Sequence, residues 1–157
     1  MATRTTDSDD TVGQLSEQFT RAFRRMRAGV ARQLAPLGLT FSQARVLRMI
    51  GRAQQPLRIG DIATSLEIVA RSATGMVDVL ETAGLATRRP DPTDRRSVLV
   101  ELTPEGGELL GHMTEARRAG AEELLSRLTD QQRTQLLGLL ETLNAAQEPE
   151  ATTGEAS

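Results

Sequence analysis

From Val12 to Leu34 apolar side chains recur as Val12, Leu15, Phe19, Phe23, Met26, Val30 and Leu34. Steps of three and four residues put them on one stripe, which predicts an amphipathic helix. The stretch APLGLT breaks it. Ser42 is expected as the N-cap of a second helix whose apolar face is Ala44, Val46, Leu47 and Ile50. After Gln-Gln-Pro two short helices are predicted. LRIGDIATSLEI buries Ile62, Ala63 and Leu66, and RSATGMVDVLETAG ends at Gly84 as a left-handed C′ residue. LATRR and SVLVEL then read as two short strands joined by an Asp-Pro-Thr-Asp turn. Thr103 and Pro104 open a long helix, a hydroxyl cap followed by proline where the missing N–H costs nothing. That helix carries Leu109, Met113, Ala116, Leu124 and Leu128. Its residues Gly106, Gly107, Gly111 and Gly120 are expected to weaken it by up to about 1 kcal/mol each. Thr129 and Gln132 form a capping box for a last helix striped by Leu136, Leu139, Leu140 and Leu143.

The expected fold is mainly α with a small β-hairpin, and the order of elements places a helix-turn-helix before a wing. Residues 1–10 and 147–157 are polar, small and aperiodic, and are expected to be frayed tails around a body at 11–146.

Composition narrows the class. At 157 residues the chain is one domain, or two small lobes sharing a core. With 38% hydrophobic and 25% charged residues it fits a soluble globular protein. No run of 18 apolar residues exists, so no membrane partner is expected. MATRTTDSDD has no apolar segment after its charge, so no secretory signal is expected and a cytoplasmic location follows. There is no cysteine, which excludes disulfides, thiolate metal sites and thiol redox sensing. All 19 basic residues are arginine, read as codon bias from a GC-rich genome, so every basic phosphate contact must come from a planar guanidinium. A net charge of −2 argues against a diffuse polycation but leaves room for a local basic surface.

The chemistry concentrates in two places. On the second short helix Arg71, Thr74, Gly75 and Asp78 fall on one exposed face, while Ala73, Val77 and Leu80 face inward. Arg71 in the first turn opposes the helix dipole, an arrangement that a nearby phosphate or guanine edge would reverse. Gly75 would let the backbone approach a groove closely. At the hairpin tip, Arg95 and Arg96 can enter a minor groove, whose negative potential attracts arginine, with Asp94 holding one guanidinium extended. Arg88 and Arg89 on the preceding strand add charge at the same edge.

MVDVLETAGLATRRPDPTDRRSVLVELTPEG is similar to the MarR family pattern of Leu-Val-Asp-x-Leu-Glu, Gly-Leu, Arg, Asp-x-x-Asp-Arg-Arg and Leu-Thr-x-x-Gly. The six-helix order covers about residues 12–146. The resemblance implies a winged helix-turn-helix DNA-binding lobe at about 42–103 and a helical dimerisation lobe from about 11–34 and 104–146. It implies a sequence-specific regulator of transcription, a repressor by family habit, that binds double-stranded DNA as a homodimer on a palindromic operator. Carried over by position, Arg71, Ser72, Thr74 and Gly75 meet the major groove, Arg88, Asp94, Arg95 and Arg96 belong to the wing, and Ser42 stands at a helix start that can donate to a phosphate. Where family members often carry arginine, this chain has Gly75 and Val79, so base reading rests more on Arg71.

The resemblance also implies release by a small-molecule effector in a cleft between the two lobes. With no Trp or Tyr, an aromatic cage is not expected, and Phe19, Phe23 and Phe41 are expected in the core. The lone His112 is expected to be a surface or packing residue rather than a ligand contact, and no cofactor or metal is expected. An enzyme is excluded for want of a nucleophile with a base, a phosphate loop or a metal cluster. The remaining alternative is a winged-helix protein-interaction module without DNA binding, against which the arginine tip stands.

Overall fold

A 30-residue helix, α1 (Thr5–Leu34), carries the first apolar stripe, and the two ends of that stripe have different fates. Val30 and Leu34 are buried, whereas Val12, Leu15, Phe19 and Phe23 are exposed. The computed structural model describes residues 5–94 and 97–145. The helix begins at Thr5, ahead of the body expected from residue 11. The expected tail at 147–157 lies outside the described residues, as do residues 1–4.

A single 3-10 turn, Ala35–Leu37, and Gly38 lead into α2 (Phe41–Arg52). The cap of α2 is Thr40 rather than Ser42. Thr40 Oγ1 accepts from the Gln43 N–H at 3.3 Å, and Gln43 Oε1 accepts from the Thr40 N–H at 2.7 Å. Reciprocal bonding of this kind satisfies two helix-end donors at once, and Ser42 falls one residue inside the helix.

The hairpin is the larger part of a three-stranded antiparallel sheet in the order β1-β3-β2, with β1 (Leu57–Arg58), β2 (Ala86–Pro90) and β3 (Val98–Leu102). Two strands were expected; β1 is the third, and Leu57 pairs with Val100. Between β1 and β2 lie α3 (Ile59–Ser65) and α4 (Ala70–Thr82). Ile62, Ala63, Leu66, Ala73, Val77 and Leu80 from this pair are buried with Ala44, Val46, Leu47 and Ile50 of α2 and Val100 of β3. Fully burying a side chain the size of valine or leucine contributes about 1.5–3 kcal/mol, so this cluster fixes the angle at which α4 is presented. Gly84 has φ +71°, as expected of a C′ residue, and redirects the chain from α4 into β2.

After β3 the chain enters α5 (Pro104–Leu125). Thr103 Oγ1 accepts from the Gly106 N–H at 3.0 Å and donates to the Gly84 carbonyl at 2.6 Å. Gly106 is not merely a weak point in this helix. A Cβ there would lie 2.0 Å from the Leu85 carbonyl oxygen, so the glycine lets α5 start against the residue that leads into β2. Leu109 and Met113 complete the core. The helix stops at Leu125, which leaves Leu128 in the following turn rather than on the helix.

Contacts divide the chain into two units, Met1–Ala121 and Glu122–Ser157. The second contains α6 (Asp130–Ala145), opened by the expected Thr129–Gln132 capping box. Among its described residues none is buried, and Leu137, Leu139 and Leu143 are exposed. No helix among the described residues is long and apolar enough to cross a membrane.

Candidate nucleic-acid interface

The turn between α3 and α4 is made by backbone bonds. The Leu66 N–H donates to Ile62 O and the Ile68 N–H to Ala63 O, at 3.1 and 3.0 Å. Glu67 takes φ +54° between them, a left-handed conformation that costs a side-chain-bearing residue about 1–2 kcal/mol. The turn swings α4 so that Ala73, Val77 and Leu80 point inward and Val69, Arg71, Ser72 and Gly75 stand exposed. Thr74 is half-buried, and its hydroxyl donates to the Ala70 carbonyl at 2.9 Å. A Cβ on Gly75 would meet nothing within 4 Å, so open space, not packing, surrounds that glycine. The expected face of α4 is therefore brought together at Arg71, Ser72 and Gly75, with Thr74 at its inner margin.

Asp78 does not belong to a free face. Its Oδ1 holds the Arg88 guanidinium at 2.6 Å, Glu81 Oε2 holds the same group at 2.5 Å, and the Thr74 carbonyl accepts from it at 3.3 Å. Arg88 had been expected to add positive charge to the wing edge. Two carboxylates around one guanidinium leave that spot net negative, so Arg88 instead clamps β2 to the back of α4. Arg89 is likewise matched, by Glu101 across the hairpin at 3.2 Å.

The base of the wing is tied by a second group of residues. Asp91 is 4% exposed and accepts from the Thr93 hydroxyl at 2.7 Å, the Thr93 N–H at 2.8 Å and Arg58 Nε at 2.8 Å. Thr93, through hydroxyl and backbone, and then Arg58 hold the Asp91 carboxyl well below the usual carboxylate range. Asp94 accepts from the Ser97 hydroxyl at 2.6 Å. Arg95 and Arg96, which Asp94 was expected to brace, lie outside the described residues. Arg58 and Asp91 are the residues that the sequence reading missed. Arg58 ends β1 while its own N–H bonds Asp61 at 3.3 Å, so one arginine joins the sheet edge, the start of α3 and the wing turn.

Residues 37–97, the span from α2 through β1, α3 and α4 to β2, match the model of the MarR family. The HTH-type transcriptional repressor Rv2887 of Mycobacterium tuberculosis is 30% identical over 121 residues, 76% of this chain and 86% of that one. The chain belongs to the MarR family. A protein named for transcriptional regulation of the hcr operon in Thauera aromatica is 33% identical over 82 residues, spanning about half of each chain (52% and 49%). Among solved structures, the YusO protein of Bacillus subtilis superposes with a TM-score of 0.76 at 26% identity, covering 91% of this chain and 99% of that one. A MepR mutant from S. aureus, solved bound to an oligodeoxyribonucleotide, shares the fold with a TM-score of 0.66 at 23% identity, over 85% and 98% of the two chains. This MarR-family chain is thus a transcriptional regulator rather than an enzyme.

Within the first unit of this regulator, α1, α2 and α5 enclose a cleft of about 370 Å³. Phe23, Phe41, Arg27, Arg45, Arg48 and Arg117 line it, together with Val30 and Ser42. The Arg27 guanidinium lies over both rings, 3.6 Å from the Phe41 centroid and 4.9 Å from that of Phe23, an attractive stacking geometry. Phe19 and Phe23 are about half exposed, at 49% and 53%, so they are not core residues as expected. Exposed Ser42 sits on the cleft wall. Burial, and then repulsion from Arg117, Arg52, Arg27 and Arg45, push the Arg48 guanidinium below its ordinary pKa. Among the described residues none lining the cleft is acidic.

Proposed function

We propose that this MarR-family protein is a cytoplasmic repressor that binds double-stranded DNA sequence-specifically as a homodimer on a palindromic operator. The observation that carries the reading is the α4 edge. Arg71, Ser72 and Gly75 are exposed on a helix whose opposite face is fully buried, and a wing clamped by Arg88 and Arg58 stands beside it. A helix so held can lie in a major groove with its first turns at the base edges, while the Asp94–Arg95–Arg96 tip reaches the adjacent minor groove. Dimerisation is supported by the apolar residues that α1 and α6 leave exposed, Val12, Leu15 and Phe19 on one and Leu139 and Leu143 on the other. A two-fold dimer requires half-sites about one helical turn apart.

Fluorescence anisotropy on the upstream intergenic duplex and on a scrambled duplex, across a salt series, tests the reading. Preference for the upstream duplex, with affinity falling steeply as salt rises, is expected. A folded dimer that binds neither duplex overturns it and leaves the protein-interaction module.

Release by a small molecule is part of the same proposal. Four guanidiniums and two phenyl rings around one cleft suit a small anion with a flat apolar face. Benzoate serves as the probe. It should raise the melting temperature in proportion to its occupancy of the folded state and weaken the DNA complex. Stabilisation without any change in DNA affinity would separate binding from release.

A further inference from the structure

Three helices of this chain open on a threonine whose hydroxyl accepts a backbone N–H: Thr40 for α2, Thr103 for α5 and Thr129 for α6. The helix presented at the candidate interface opens on Val69 instead. Val69 occupies the N-cap of α4 with extended backbone (φ −71°, ψ 146°) and, among the described residues, no side chain caps that end. Val69 is 69% exposed, the largest exposure among the exposed large hydrophobics described in the first unit. The position is thus unfavourable twice over. Valine is among the poorest N-cap residues, and its apolar surface stays in water. Packing does not demand it either, because the preceding Ile68 is the residue that rests against the core.

We infer that Val69 is a specificity-determining residue that reads the C5-methyl group of a thymine in each half-site. The inference rests on the DNA-binding reading above. A helix entering the major groove places its N-terminal residues at the base edges. The thymine methyl is the apolar group on that edge of the duplex, and an isopropyl group on an otherwise polar helix end is its complement. Val69 precedes Arg71 by two residues, so the methyl contact falls beside the base or phosphate that Arg71 meets. Threonine or serine at this position would cap the helix; valine leaves the cap unmade and supplies apolar contact in its place.

Replacing thymines of the upstream duplex one at a time by deoxyuridine removes only the methyl group. Anisotropy titrations of the full-length protein should show one position per half-site where the wild type loses about fourfold in affinity, the worth of one buried methyl. Val69→Ala should bind thymine and deoxyuridine equally there while keeping the wild-type response elsewhere. Val69→Ser should do the same with a raised melting temperature, because it restores the cap, so misfolding cannot account for the loss. Two results overturn the inference while leaving the DNA-binding reading intact. One is preference for the upstream duplex without any deoxyuridine-sensitive position. The other is sensitivity that survives unchanged in both variants. Equal binding to upstream and scrambled duplexes overturns both readings together.

Discussion

The winged-helix region and the cleft between α1, α2 and α5 treat the same side chain in opposite ways. Around the wing Arg88 faces Asp78 and Glu81, Arg58 faces Asp91, and Arg89 faces Glu101. In the cleft Arg27, Arg45, Arg48 and Arg117 face one another and two phenyl rings. The first set is neutralised and therefore structural. Its work is to hold α4 and the hairpin in one geometry, the support that a helix proposed to enter a groove would need. The second set has its positive charge unbalanced, a state that favours the arrival of an anion. Positive charge alone would have marked both sets of arginines as ligand-binding. The partners separate Arg58, Arg88 and Arg89 from the cleft set.

The locked side of the comparison should break hardest at Gly106. Gly106→Ala drives a methyl into the Leu85 carbonyl across a 2.0 Å gap that backbone cannot widen without moving β2 or α5. A loss of about 3 kcal/mol, the upper end of ordinary overpacking, is expected from urea denaturation. Gly107→Ala, with nothing within 4 Å, should leave stability unchanged or raise it.

Arg88→Ala should have the next largest effect. It removes a guanidinium that is only 21% exposed and leaves Asp78 and Glu81 as adjacent like charges. Both carboxylates are partly solvated, so the loss is held to about 1–2 kcal/mol. DNA affinity should fall with it, as β2 is no longer clamped to α4. If Arg88→Ala lowers affinity at full stability and flattens the salt slope, Arg88 contacts phosphate directly and the structural assignment is wrong.

These pairings also mark the limit of what the sequence disclosed. The helix-turn-helix, both long strands, Gly84 and the Thr103 and Thr129 caps were legible because each depends on residues three to seven apart. The ion pairs of Arg88 could not be read because its partners lie on another element, and charge in a strand carries no sign of what faces it. The strand β1 is two residues long and exists only through pairing with Val100 and Leu99, so it has no pattern of its own to read. Thr40 could have been found. Gln43 stands three residues on, which is the capping-box spacing, and that spacing outweighs the rival hydroxyl of Ser42. Phe23 shows the converse: a stripe at helical spacing says which side is apolar, but not whether this chain covers it. The role of Arg95 and Arg96 stays a proposal, carried by the motif alone.

Asp91 sharpens the comparison through pH. Its folded-state pKa is depressed, so its stabilising contribution is complete above the unfolded value of about 3.9 and is lost as pH falls toward the folded value. Asp91→Asn, which imitates the protonated acid, should be less stable than the wild type at pH 7 by an amount that holds steady down to about pH 5. The gap should then close below about pH 4. Thermal melts of both proteins from pH 7 to pH 3 check this. A gap that is unchanged at pH 3 would mean that shape, not charge, holds the wing base.

The smallest effect should also have the opposite sign. Arg48 is pressed by burial and by four neighbouring arginines, and among the described residues lining the cleft none is acidic, so Arg48→Gln removes repulsion instead of a bond. Stability should be unchanged or higher by about 0.5 kcal/mol at most, within the usual range for a substitution that breaks no packing. In the same variant, stabilisation by benzoate should weaken, because one of the charges that would hold an anion is gone. Melting curves at low and high salt separate the two causes. Salt screens the repulsion among the cluster and should shrink any gain in the free protein, whereas loss of the benzoate response should persist when both proteins are compared at one salt concentration. A destabilisation of more than 1 kcal/mol would place Arg48 with Arg88 among the structural arginines and erase the distinction between the two regions.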